Sequence, residues 1–123
     1  MHSELLLEHF QNPRNVGELA PPAVSVEVMN PACGDILRLS ARAEGGVVAQ
    51  VAYKVRGCTA SIATGSALTE LLLGRRTADI AAITADEIEA AVGGLIMESK
   101  HAAALCRDGA RALSAKFSTL KSQ

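Results

Sequence analysis

Between Val24 and Arg56 the apolar residues recur at every second position, and after Cys58 they recur every three to four. That change of period constrains the fold more than any other feature of the chain. Side chains alternate across a strand but return to one helix face every 3.6 residues, so the first stretch reads as sheet and the second as helix. Val24, Val26 and Val28 alternate with Ser25 and Glu27. Leu37, Leu39 and Ala41 alternate with Arg38, Ser40 and Arg42. Val47, Ala49, Val51, Tyr53 and Val55 alternate with Gln50, Lys54 and Arg56 in a third strand. Glu44-Gly45-Gly46 supplies hairpin chemistry between the second and third strands. Three consecutive strands with short connections predict an antiparallel sheet with one face covered by helices.

The flanks read as helical. Ser3 caps a first helix through about Phe10, with Leu5, Leu6 and Phe10 as its apolar stripe, and Asn12-Pro13-Arg14-Asn15 stops it. Ile62, Leu68, Leu71 and Leu72 carry the helical period after Cys58, with Gly74 as the stop. Thr77 and Thr84 read as caps of two short helices, and Thr84-Ala85-Asp86-Glu87 has capping-box spacing. Gly93-Gly94 ends the second of these, and a long final helix runs from about Ser99 to Leu120. A length of 123 residues suits one core. The expected architecture is α+β, a single domain over residues 1–123: a three-stranded antiparallel sheet packed against helices, with a long C-terminal helix.

Composition then removes whole classes of function. There is no Trp, one Tyr and two Phe, so the aromatic platforms that stack single-stranded nucleic acid are missing. Twelve Lys and Arg against thirteen Asp and Glu leave a net charge of −1, which is no footprint for DNA or RNA. No apolar run approaches the ~18 residues of a membrane span. Leu5-Leu6-Leu7 sits between Glu4 and Glu8, unlike a secretory signal. The expectation is a soluble, cytoplasmic protein with neither nucleic acid nor membrane as partner.

Three cysteines remain: Cys33, Cys58 and Cys106. An odd count in such a chain argues against a disulfide framework. Cys33 lies in Asn30-Pro31-Ala32-Cys33-Gly34-Asp35, a loop whose Pro and Gly specify its shape and which offers a thiol and then a carboxylate. Cys58 follows Gly57 where the third strand gives way to a helix, and a helix N-terminus favours thiolate. His101 lies in the first turn of the last helix. Two thiolates, one imidazole and one carboxylate make a four-donor set suited to zinc or to labile iron. Each residue also has a plain reading: Cys33 as a small buried side chain, Asp35 as a turn stabiliser, Cys58 as helix-start packing, His101 as a satisfied histidine and Cys106 as core. Spacing decides none of these, because no pair forms a C-x₂-C knuckle.

Longer strings add a resemblance. Asn12-Pro13-Arg14-Asn15-Val16-Gly17, Pro31-Ala32-Cys33-Gly34-Asp35 and Gly57-Cys58-Thr59-Ala60-Ser61-Ile62-Ala63, followed by Leu68-Thr69-Glu70 and Gly74, occur in this order over nearly the whole chain. In them the sequence resembles the IscU/NifU-type iron–sulfur cluster assembly scaffolds. The resemblance implies a three-stranded antiparallel sheet packed against helices. It implies a carrier rather than an enzyme: a cysteine desulfurase delivers sulfur, iron is added, and a [2Fe-2S] cluster forms and passes to acceptor proteins. Zinc is the other metal expected on the same donors in the isolated protein. Cys33, Asp35, Cys58 and His101 fall on the family's ligand motifs, and Asp35 is the residue expected to keep the cluster labile.

The last motif departs from the family. There a cysteine directly follows the histidine and is the main persulfide acceptor; here Ala102 follows His101, and Cys106 stands four residues further on. Aligning histidine with histidine needs no insertion. Cys106 then lies one turn deeper, ~6 Å by helix rise, and His101 and Cys106 are ~140° apart around a regular helix. Cys106 is carried as a fifth candidate, ligand or acceptor, beside the reading of a buried structural thiol. Leu95-Ile96-Met97-Glu98-Ser99 lacks the prolines of the segment that a dedicated Hsp70-type chaperone reads, so that partner is not expected. No insertion separates Cys58 from His101, unlike the zinc-dependent sulfurtransferase branch. That branch, with a persulfide-accepting thiol, remains the alternative function, together with a metal-binding domain that builds no cluster. A monomer or weak homo-oligomer is expected.

Overall fold

The computed structural model describes residues 2–121. Its order is α1 (Glu4–Gln11), β1 (Val24–Met29), β2 (Ile36–Glu44), β3 (Val47–Arg56), α2 (Thr59–Leu72), a 3-10 helix (Thr77–Ala82), α3 (Ala85–Ala91), a short 3-10 turn (Met97–Ser99) and α4 (Lys100–Lys121). The strands form one antiparallel sheet in the order β1-β2-β3. Gly45 and Gly46 take φ of 59° and 78°, the pair of positive angles that a two-residue hairpin needs and that other L residues resist.

One face of the sheet builds the core. Leu37, Leu39, Ala41, Val51 and Tyr53 are buried there with Leu68 and Leu72 of α2 and Leu105, Ala110, Leu113 and Phe117 of α4. Helix α4 lies against β1 and β2, α2 against β3, and α1 against α2. The α+β architecture expected from the change of period is therefore present, long last helix included.

Three local expectations need correction. The alternation expected along β3 breaks at Ala49: Ala43 pairs with Val48 and Arg42 with Gln50, so Ala49 has no partner opposite. This bulge shifts the phase by one. Val48, not Val47 or Ala49, is buried, and Val51, Tyr53 and Val55 continue its face. In α1 the inward pair is Leu6 and His9 at i, i+3, while Leu5 and Phe10 are exposed. Thr77 is no cap. It opens the 3-10 helix, its amide donates to the Gly46 carbonyl, and its buried hydroxyl has no hydrogen-bond partner among the described residues. Ser3 and Thr84 do cap, accepting from the amides of Leu6 at 2.9 Å and Glu87 at 3.0 Å.

His9 enters the interior because polar groups on α2 receive it. Its Nδ1 lies 2.8 Å from Ser66 Oγ and its Nε2 3.4 Å from Glu70. The Arg14 amide also donates to Ser66 Oγ, and Asn15 donates to Thr69, so the Asn12–Asn15 segment is pinned along the same helix. Burial pushes the His9 imidazole below its ordinary value of 6.5; the Arg14 charge adds to this, and Glu70 and Glu8 oppose it. The unfolded chain therefore takes up this proton more readily than the folded one. The stability that His9 contributes is complete above pH 6.5 and is lost as the pH falls from there through the lowered folded value. We expect the melting temperature to fall between pH 7 and pH 5 and the fall to be shallower in His9→Gln. Parallel pH profiles for the two proteins would refute this.

Candidate metal centre

Three parts of the chain deliver the candidate donors to one end of the sheet. The β1–β2 loop carries Cys33 and Asp35. Within it the Asn30 amide donates to the Asp35 carbonyl at 2.9 Å, and the Gly34 amide donates to the Asn30 carbonyl at 2.7 Å, with Gly34 at φ 76°. Cys58 is the N-cap of α2, held in extended geometry with its side chain free of any capping bond. His101 is the second residue of α4.

Cys33, Asp35 and His101 each present a ligand atom within 4.8 Å of the others. His101 Nε2 is 3.6 Å from Asp35 Oδ2 and 3.7 Å from Cys58 Sγ. Both thiols are exposed, whereas Asp35 is only 8% exposed. The structure thus brings together four of the five residues singled out in the sequence.

The fifth is elsewhere. Cys106 is 1% exposed and belongs to the core cluster with Leu37 and Leu39. Its thiol donates to Thr64 Oγ1 at 3.5 Å, and burial pushes it up to about 12, so it stays a neutral thiol. The five-residue offset from His101 turns it to the sheet-facing side of α4.

Two residues that sequence reasoning gave no role shape the site. Ser61 donates its hydroxyl to Asp35 Oδ2 at 2.6 Å and lies 3.3 Å from Cys58 Sγ, tying carboxylate and thiol together. Its signal was its position three residues after the N-cap, where a side chain reaches back to the helix start. Gly57 leaves room for the carboxylate: a Cβ there would sit 2.7 Å from Asp35 Cγ and Oδ2. Burial alone would raise the Asp35 carboxyl. Hydrogen bonds from Ser61 and Cys33, the charge of His101 and the Cys58 amide outweigh it, and Asp35 lies below its ordinary value, ready as an anion.

A three-stranded antiparallel sheet under helices, with thiol, carboxylate and imidazole groups brought to one end, is an α+β protein with a side-chain cluster that could hold a metal ion. The family described as NifU-like N terminal domain matches residues 1–122, and the chain belongs to that family. It is 34% identical over 111 residues to the iron-sulfur cluster assembly scaffold protein IscU 1 of Archaeoglobus fulgidus, covering 90% of this chain and 72% of that protein. It is 33% identical over 75 residues to the zinc-dependent sulfurtransferase SufU of Bacillus subtilis, covering 61% of this chain and 50% of that one. Among solved structures, the N-terminal part of a NifU-like protein from Brucella abortus superposes with a TM-score of 0.60 at 24% identity, covering 91% of this chain and 82% of that one, and shares the fold. No helix among the described residues is long and apolar enough to cross a membrane.

Proposed function

We propose that this protein is an iron–sulfur cluster assembly scaffold: it receives iron and sulfur, holds a [2Fe-2S] cluster as cargo on Cys33, Asp35, Cys58 and His101, and hands it on. The convergence of these four donors from the β1–β2 loop, the start of α2 and the start of α4 carries the reading. The chain acts as one unit, a carrier in the cytoplasm rather than an enzyme. A cysteine desulfurase supplies the sulfur, and apo iron–sulfur proteins take the product. Sulfur arrives at the exposed thiols, Cys33 and Cys58. We assign Cys106 a packing role.

Asp35 and His101 make the hold a loose one. A carboxylate is a harder and weaker partner for iron–sulfur than thiolate, so two thiolates with one carboxylate and one imidazole favour exchange over storage. Ser61 and the Cys58 amide keep the carboxylate aimed at the cargo. Anaerobic reconstitution with iron, sulfide and reductant should give a coloured protein with equal iron and sulfide counts, and a colourless product would defeat the reading. Asp35→Ala should load and then release its cluster several-fold more slowly. Equal transfer half-times would remove Asp35 from that role.

Zinc-dependent sulfur transfer is the second reading, favoured by the SufU relative and by the spacing of the donors. Ligand atoms at the corners of a tetrahedral zinc site lie roughly 3.3–3.8 Å apart, given bond lengths of about 2.0–2.3 Å. The contacts of His101 Nε2 at 3.6 Å and 3.7 Å already have that length.

A further inference from the structure

Beside the metal centre the sheet presents a surface that the four donors do not use. Ile36, Arg38, Lys54, Val55 and Arg56 line an open hollow of about 260 Å³. The register sets Ile36 opposite Arg56 and Arg38 opposite Lys54. Arg38 is held by Glu18 at 3.4 Å and Glu27 at 3.6 Å. Lys54 and Arg56 are exposed, and among the described residues no carboxylate pairs with either. Like charges directly opposite each other weaken a sheet. Arg38 and Lys54 are the like-charged pair directly opposite here, and with Arg38 compensated by its glutamates, Lys54 and Arg56 remain as two exposed cations at one strand end.

Position gives the cluster its meaning. Ile36 directly follows Asp35, and Arg56 precedes Cys58 by two residues, so an occupant of this face lies within ~7 Å of chain from two donors. Met29, 58% exposed and paired with Ile36, adds an apolar contact next to the cations.

We propose that this face docks the acidic surface of the protein that takes the cargo, an inference that rests on the scaffold reading. A site waiting for iron or a cluster is built from thiolates and carboxylates, so the acceptor approaches as an anion. A cationic collar next to the release point attracts and orients it, while Ile36 and Met29 provide the apolar centre of the contact.

The test uses the full chain, loaded with cluster, and an acidic [2Fe-2S]-type apo-ferredoxin as acceptor. In Lys54→Glu/Arg56→Glu, transfer should slow at least tenfold at low salt and lose most of its salt dependence. Lys54→Gln/Arg56→Gln should fall between this and the parent. Loading should stay unchanged in both, and the melting temperature should not fall, since each variant removes the repulsion between Arg38 and Lys54. Equal transfer rates would overturn the proposal. So would a defect confined to sulfur uptake from a persulfide donor, which would make the face a donor site. Should the parent take no cluster at all, the scaffold reading fails, and docking is read instead from backbone amide NMR shifts on titration with the same apo-ferredoxin. Shifts at residues 36, 38, 54 and 56 that vanish in the glutamate pair uphold it. Their absence in the parent overturns it.

Discussion

Cys58→Ser and His101→Ala should each weaken zinc binding by more than the roughly 10–100-fold that loss of a mere orienting partner costs, whereas Cys106→Ser should bind zinc like the parent. The expectation follows from where the structure puts each side chain. Removing Cys58 or His101 leaves three of the four proposed donors, and the lost His101 Nε2 is the atom that lies beside both Asp35 and Cys58. Cys106 Sγ instead faces Thr64 inside the core, and serine can keep that hydrogen bond. Competition with a chromophoric chelator measures the affinities. Alkylation supplies an independent readout: iodoacetamide should modify Cys33 and Cys58 in the native protein and reach Cys106 only after unfolding. Zinc affinity that drops in Cys106→Ser, or native alkylation of Cys106, would return that thiol to the site.

Gly65→Ala should destabilise the protein by about 2–4 kcal/mol, roughly a 10 °C fall in melting temperature. The sign is the informative part, because alanine at an ordinary helix-interior glycine adds up to about 1 kcal/mol of stability. Gly65 sits in the middle of α2, where a Cβ would come within 2.5 Å of Tyr53 Cε2 and 2.7 Å of Cδ2. The Tyr53 ring has no easy retreat. It is 2% exposed, and its hydroxyl donates to the Ile62 carbonyl on the same helix at 2.7 Å. Glycine thus lets the helix start that carries Cys58 close onto the strand that precedes it. Tyr53→Leu should rescue part of the loss, giving a coupling that a double-mutant cycle would detect. A Gly65→Ala protein as stable as the parent would show that the ring can move.

The same geometry links fold to site. Helix α2 is anchored to β3 by Tyr53 and Gly65 and to the N-terminal segment by His9, Arg14 and Asn15. Its first residues then place Cys58 and Ser61 against the β1–β2 loop.

Much of this was legible along the chain. The switch from period two to period 3.6 contained the sheet, the hairpin and the helices. The loop residues Cys33 and Asp35, the strand-to-helix Cys58 and the helix-start His101 could be picked out as candidates because thiol, carboxylate and imidazole fall at breaks of the pattern, but a plain reading stands beside each and the family resemblance carries the choice. Phase was harder to read. One unpaired residue at Ala49 moved the inward face of β3, and nothing in Val47-Val48-Ala49 announces a bulge.

What the sequence determines by itself is most of the local elements and a list of candidate donor residues, because propensity, period and side-chain chemistry act within a few neighbours. Only the tertiary structure decides which donors meet. The buried place of His9 depends on Ser66, the gap at Gly57 on Asp35, and the loss of Cys106 to the core on the angle at which α4 lies on the sheet. Each is a contact between residues 22 or more positions apart. The third thiol was therefore open on paper: one turn of helix separates it from the expected position, and packing settles which way that turn faces.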